Sequence, residues 1–355
     1  MGVLDNESVY IKYDPSGMNV SIKDLPNQIN NSWELAKSIS IPTHYFNAKN
    51  IVILGMGGSG IAGTLIKSYI SQKIKIPAEV LKDYLLPGYV DSNSLVIAVS
   101  FSGGTEETIN SFKEAANKGA KLIAITCGGE IESLAKKYNA PLYKINYSSS
   151  PRASLGHLFT PLLYILKKIK FIELDENEVY QTVEMLNDLQ NKIGINSPTS
   201  QNEAKQFAEK IKGRMPIIIA SGILAPVGIR FKCQINENSK SFASFEEMPE
   251  TCHNFLQGLD LPDKIKDKII VVFMQSKYDY PRNVIRFQAV QNILKKKGVL
   301  YQIINLETSG EELSEMMLYL HFTDYISLYL AMLEQTDPSP YDTITFLRNF
   351  LAENK

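Results

Sequence analysis

The chain predicts an α/β protein of two doubly wound domains, each a parallel sheet flanked by helices. Three observations lead there. Short runs that are apolar throughout, such as IVILG (51–55), SLVIAVS (94–100) and MPIIIASG (215–222), alternate with segments at helical spacing. Strands of that kind are buried on both faces, which is the mark of a parallel sheet covered by helices. The strand–helix order of the first half recurs in the second, which suggests an internal duplication. A length of 355 residues suits two domains.

In chain order, residues 1–45 read as a helical lead-in, with Ile29, Trp33, Leu35, Ile39 and Ile41 as apolar contacts. Residues 46–190 form the first domain. Its strands are IVILG, AEVLKDY (78–84), SLVIAVS, KLIAITCG (121–128) and PLYKI (141–145), with helices after the first, third and fourth. Residues 151–192 read as helix. The polar, turn-rich NSPTSQN places a linker near 190–205. The second domain, 205–335, has strands at MPIIIASG, KIIVVFMQS (268–276) and VLYQIINL (299–306). Helices are expected at 224–238, after 281 and over 309–334, and 336–355 forms a C-terminal helix.

With 37 basic and 38 acidic residues the net charge is −1, which favours neither nucleic acid nor an anionic membrane as partner. Cys127, Cys233 and Cys252 form no CxxC pair, as expected of a reducing, cytoplasmic compartment. MGVLDNESVY carries charges where a signal peptide would be apolar, and runs such as Lys268–Met274 are shorter than a membrane span of about 20 residues. No His, Cys and Asp cluster has metal-ligand spacing, so neither metal nor cofactor is expected.

Ligands in doubly wound folds bind beyond the carboxyl ends of the strands, where strand order reverses. Two glycine-rich turns are expected there. GMGGSG (55–60) matches GxGxxG at Gly55, Gly57 and Gly60, which raises a dinucleotide site and an NAD-dependent dehydrogenase. The acidic residue expected about 20 positions later is missing, since neither Glu79 nor Asp83 clearly ends a second strand. The second turn, SFSGGTEET (100–108), follows a strand and leads into a helix. Its glycines admit an anion close to the backbone, and the helix start offers free N–H groups. Ser59, Ser100, Ser102 and Thr105, with the backbone at Gly57 and Gly58, form a neutral cradle suited to a small sugar phosphate. The plain structural alternative is that Ser102 and Thr105 only cap the helix.

SFSGGTEET resembles the phosphate loop of sugar isomerase (SIS) domains. Together with GMGGSG, SPRASLG (150–156), NENSK (236–240) and EMPETCHN (247–254), in that order, the chain is similar to the archaeal bifunctional phosphoglucose/phosphomannose isomerases over nearly its whole length. The resemblance implies two SIS domains and interconversion of glucose 6-phosphate or mannose 6-phosphate with fructose 6-phosphate. It implies a phosphate site at Ser59, Ser100, Ser102 and Thr105. It makes Glu237 the base, Arg152 the enediolate stabiliser and His253 the ring-opening residue, the last supplied across a homodimer interface. The family ends with a lysine in a PxxxIxxLK pattern that contacts substrate or helps open the ring; here SPYDTITFLRNFL places Arg348 there. Arginine keeps the charge but does not exchange protons near neutral pH.

The chemistry suits these residue types. One carboxylate can carry a proton between C2 and C1 through an enediol. Glu237, at the end of the helix 224–238, would otherwise read as a solvated terminal acid. A fixed guanidinium stabilises the developing enediolate, although Arg152 could instead pair a helix-start carboxylate or carbonyl. Ring opening needs a group that titrates near neutrality. His157 and His321 lie in apolar helices and read as structural, His44 is unassigned, and His253 lies in an acidic loop of the kind that carries function. A Cys252–His253 nucleophile pair is disfavoured, because sequence neighbours on an extended chain point to opposite sides. The alternatives are an isomerase for glucose 6-phosphate alone and a non-catalytic SIS sugar-phosphate sensor. The length leaves no room for a fused amidotransferase ahead of the first sheet.

Overall fold

The computed structural model describes residues 2–262 and 264–354. The chain divides into two compact units. One comprises Lys23–Asp188 and Glu307–Leu318, the other Met1–Ile22, Leu189–Leu306 and Tyr319–Lys355.

The unit containing Lys23–Asp188 has a sheet of five parallel strands: β1 (Asn50–Leu54), β2 (Ala78–Leu81), β3 (Ser94–Ser100), β4 (Lys121–Thr126) and β5 (Leu142–Lys144). Their order is β2-β1-β3-β4-β5, so the winding reverses between β1 and β3. Central β3 is buried at every residue, which is why it reads as an unbroken apolar run. Helices Gly57–Ile70, Glu106–Asn117 and Gly129–Lys137 follow β1, β3 and β4. Val96, Ala98, Phe112, Leu122 and Ile131 join sheet and helices in one core. The lead-in folds as helices Glu7–Tyr13, Met18–Lys23 and Leu25–Ala36. Trp33 and Ile29 are buried as expected, but Leu35 is not, being 45% exposed.

The other unit has four parallel strands, β6 (Met215–Ala220), β7 (Ser244–Glu247), β8 (Ile269–Met274) and β9 (Tyr301–Ile304), in the order β7-β6-β8-β9. Edge strand β7 escapes sequence reading because SFEE has one apolar residue and none that is fully buried. The winding reverses between β6 and β8. There the buried Asp279 carboxylate accepts from the Ser221 hydroxyl and, at 2.9 Å, from the Ser276 N–H. The region expected to hold the linker, 190–205, is anchored at its end by Lys205. Lys205 is fully buried and donates to Asp5 and to the carbonyls of Ile195 and Ser197, at 2.8–3.1 Å. The helical stretch 151–192 is two helices, Leu155–Lys168 and Glu176–Ile193. Helix Glu312–Leu333 is long and apolar enough to cross a membrane by composition, unlike the short runs noted in the sequence, but its apolar stretch is wholly buried in the protein.

Candidate active site

Both glycine-rich turns lie at the reversal between β1 and β3, and a hydrogen bond joins them. The buried Ser59, in the first turn of helix Gly57–Ile70, accepts from the N–H of Phe101 at 3.1 Å. Its oxygen is therefore engaged as an acceptor, and its own proton is left to point elsewhere. The buried Ser100 donates to Thr105 Oγ1 at 3.1 Å and accepts from the Gly103 N–H at 3.1 Å. Ser102 is exposed and accepts from the Gly104 N–H at 3.3 Å. Thr105 occupies the N-cap position of helix Glu106–Asn117, yet its side chain makes no capping bond. The helix-capping alternative therefore does not account for its hydroxyl.

A third turn holds the serine loop in place. Gly103 is left-handed at φ +69°, and a Cβ there would lie 1.7 Å from the Gly128 carbonyl oxygen. Gly129, also left-handed, faces the Ser102 carbonyl, and a Cβ there would lie 2.6 Å from its oxygen. The Phe101 and Gly103 carbonyls accept from Cys127 and Ile131 N–H groups at 3.0 Å. Sequence reading missed this clamp, since Gly128 and Gly129 acquire meaning only once β3 and β4 are paired.

Arg152 belongs to the same end of the same sheet. It sits on the short turn Pro151–Ala153 and is 3% exposed. The turn's backbone lies on Gly58, where a Cβ would meet Arg152 N at 2.9 Å. Gln28 fixes the turn from helix Leu25–Ala36, donating to the Ala153 carbonyl at 2.8 Å and accepting from the Gly156 N–H at 3.1 Å. Lys82, the first residue after β2, was also missed. Its Cε would lie 3.3 Å from a Cβ on Gly60. It stands just past the end of β2, near where a dinucleotide fold needs an acid. Glu79 is mid-strand and Asp83 lies two residues beyond the strand.

The structure thus gathers Gly57, Gly58, Ser59, Ser100, Ser102, Thr105 and Arg152 at one switch point. Glu237, His253 and Arg348 belong to the other unit. Glu237 is half-buried, one residue from the end of helix Ala225–Asn238. Its neighbours fix the helix end. Asn238 donates to Ser327 Oγ at 3.0 Å, Ser239 donates to the Ser327 carbonyl at 2.7 Å, and Asn236 accepts from the Ala243 N–H at 3.0 Å. The Arg230 guanidinium and the Gln234 amide, farther back on the same helix, grip Asp324 at 2.6 and 3.1 Å. His253 is exposed and lies beyond the other end of the sheet, after β7 and the turn Glu250–Cys252. A helix of 14 residues is about 20 Å long, so Glu237 and His253 stand at opposite ends of this sheet. Cys252 contacts Met248 Sδ at 3.3 Å, and burial raises its thiol pKa, opposite to what a nucleophilic thiolate needs. Arg348 is exposed on helix Asp342–Glu353.

The remaining histidines fall as the sequence suggested. His157 is half-enclosed between Ser32, 2.6 Å away, and the Tyr147 ring, and burial holds its pKa down to about 4. His321 is fully buried, with its pKa lowered to about 3. His44 is exposed on the turn Thr43–Asn47. Among the described residues no group of three or more His, Cys, Asp or Glu side chains could hold a metal ion.

Residues 44–145 match the SIS domain family, and residues 200–351 match the bacterial phospho-glucose isomerase C-terminal SIS domain. A bifunctional phosphoglucose/phosphomannose isomerase from Caldicellulosiruptor bescii is 39% identical over 94% of this chain and 99% of its own length. The chain belongs to that isomerase family. Another member, from Thermoplasma acidophilum, is 33% identical over 85% of this chain and 90% of its own. The C-terminal domain of glucosamine-fructose-6-phosphate aminotransferase from Francisella tularensis shares the fold. Its TM-score is 0.69 at 17% identity, over 91% of this chain and 98% of that one. Within the isomerase family, the β1–β3 switch point described above is the N-terminal SIS domain's glycine-rich end, and Glu237 and His253 lie in the C-terminal one.

Proposed function

We infer that the protein is an aldose–ketose isomerase that interconverts glucose 6-phosphate and mannose 6-phosphate with fructose 6-phosphate. The observation that carries this is the joined pair of hydroxyl turns beside the buried Arg152, in a chain whose curated relatives are named for both activities. Ser59, Ser100, Ser102, Thr105 and the free N–H groups at Gly57 and Gly58 bind the phosphate. Lys82 adds positive charge beside that turn. His253 moves the proton that opens the sugar ring. Glu237 takes the proton from C2 of the open aldose and returns it to C1, while O1 of the intermediate carries negative charge that Arg152 stabilises. One chain's Glu237 and His253 stand about a helix length apart. We therefore assign His253 to the site of a second subunit in a homodimer.

The test is turnover of glucose 6-phosphate and of mannose 6-phosphate, assayed separately with a chelator present, alongside Glu237→Gln. Turnover of both sugars, lost in the variant, is the expected result. Turnover of glucose 6-phosphate alone would remove the dual specificity. Binding without turnover of either sugar would leave a sugar-phosphate sensor.

A further inference from the structure

The lead-in helix Leu25–Ala36 carries one buried amide that is used at both ends. Gln28 is 1% exposed. Its Nε2 donates to the Ala153 carbonyl at 2.8 Å, and its Oε1 accepts from the Gly156 N–H at 3.1 Å. These two groups bracket the step from the turn Pro151–Ala153 into helix Leu155–Lys168. Gly156 lets the step lie directly on Gln28, since a Cβ there would stand 2.5 Å from the Gln28 Cβ. An amide turned end for end would set acceptor against acceptor at Ala153 and donor against donor at Gly156. Its sense therefore decides whether the turn is held or pushed away. That sense is set from farther out. Asp24 accepts from the Asn27 amide through one oxygen and from the Tyr147 hydroxyl through the other, each at 2.9 Å. A carboxylate only accepts, so the Tyr147 proton points to Asp24 and the hydroxyl lone pairs are left for a donor. Gln28 Nε2, the donating end, lies 3.4 Å from that oxygen. Asp24, Tyr147, Gln28 and Ala153 thus form a one-way chain of hydrogen bonds, all within the unit Lys23–Asp188.

We propose that Gln28 is a positioning residue for the reaction: it holds the turn that carries Arg152, and Tyr147 and Asp24 fix the sense of its amide. This rests on the role given to Arg152 above. The charge that Arg152 meets develops only once the proton leaves C2. A displaced turn therefore weakens the transition state more than it weakens the grip of the serine turns on the phosphate. A shift of about 1 Å in such a group costs about a hundredfold in rate.

The test is steady-state kinetics of the full chain with glucose 6-phosphate, with kcat and KM read separately. Gln28→Leu removes both bonds at similar volume. Its kcat is expected to fall about tenfold to a hundredfold, with KM within about threefold of wild type. Gln28→Glu adds a signature that packing alone does not produce. An ionised carboxyl turns only acceptors toward the Ala153 carbonyl and the Tyr147 oxygen, whereas a protonated one donates and accepts as the amide does. The charged groups nearest in the fold are Asp24 on the same helix and Arg152 on the turn, and Tyr147 and His157 are the titratable rings beside them. Burial and Asp24 favour the protonated form. The kcat of Gln28→Glu relative to wild type is therefore expected to rise as pH falls from about 8 to about 5.5. Gln28→Leu that keeps kcat, or that raises KM instead, overturns the proposal, and so does a Gln28→Glu ratio that stays flat over that range. Should Gln28→Leu fail to fold, Tyr147→Phe decides, since it keeps the amide and removes the group that fixes its sense: a lowered kcat supports the proposal and an unchanged one overturns it. A wild type that turns over no hexose phosphate overturns the isomerase reading and the proposal with it. An active wild type beside an unaffected Gln28→Leu overturns the proposal alone.

Discussion

Replacing Gly103 by alanine separates the geometry of the serine loop from its chemistry. The substitution removes no hydroxyl and no charge. It puts a Cβ 1.7 Å from the Gly128 carbonyl oxygen, where ordinary contact begins at 3.4 Å, so the two loops must part by well over an ångström. It also holds an L residue at φ +69°, at about 1–2 kcal/mol. The bonds from Cys127 and Ile131 to the Phe101 and Gly103 carbonyls stretch with the movement. Ser100 and Ser102 flank that backbone, and a 1 Å misplacement of a positioning group costs about a hundredfold. We expect kcat/KM for glucose 6-phosphate to fall at least about a hundredfold, with a lower melting temperature. The neighbouring Gly104 is the control. A Cβ there meets nothing within 4 Å and its φ is outside the left-handed region, so Gly104→Ala should stay within about twofold of wild type. Fructose 6-phosphate formation and thermal melting of both variants decide the matter. Equal behaviour of the two alanines, whether both silent or both inactive, would refute the clamp.

Ser59→Ala removes the donor proposed for the phosphate and leaves the buried Phe101 N–H unpaired, each worth about 1–3 kcal/mol. Steady-state kinetics should show KM raised about ten- to a hundredfold with kcat nearly kept; an unchanged KM would remove Ser59 from the phosphate site. His157 and His321 have folded pKa values lowered to about 4 and about 3, against about 6.5 when unfolded. Their stabilisation is present in full above pH 6.5, where both states are neutral. It is lost as pH falls toward 4, where only the unfolded chain takes up protons, at about 2.7 kcal/mol per pH unit for the two. Urea midpoints at about pH 7 and pH 5 measure this, and His157→Gln should flatten the profile. Arg230→Met strips the buried Asp324 of its guanidinium and should cost about 3–5 kcal/mol in chemical denaturation, loosening the helix that carries Glu237.

What was legible in the sequence follows from what is local. Strand β3 is recognisable because burial on both faces makes all of its middle apolar, and the cradle because glycines and hydroxyls crowd one strand end. The helix bearing Glu237 was placed to within a residue, since Val227, Phe231 and Ile235 keep helical spacing into its last turn. Strand β7 was not legible, because it is an edge strand that pairs with β6 and its sequence is acidic. The supports of the site were not legible either. Gln28 holds the Arg152 turn across 125 positions, and Gly128 matters only because β4 lies beside β3. A sequence shows which groups do chemistry sooner than which groups hold them, because holding is done by neighbours far away in the chain.

Asp279 bears on how many sugars one chain can hold. The second sheet has the same reversal of winding as the first, and with it the crevice where such sheets take up anions. Here the crevice already contains a carboxylate, engaged by Ser221 and the Ser276 amide. A tethered anion cannot be washed out or outcompeted, and its charge repels a phosphate. On the proposed reading only the first sheet's crevice takes up a phosphate, and a calorimetric titration should saturate at one hexose phosphate per chain.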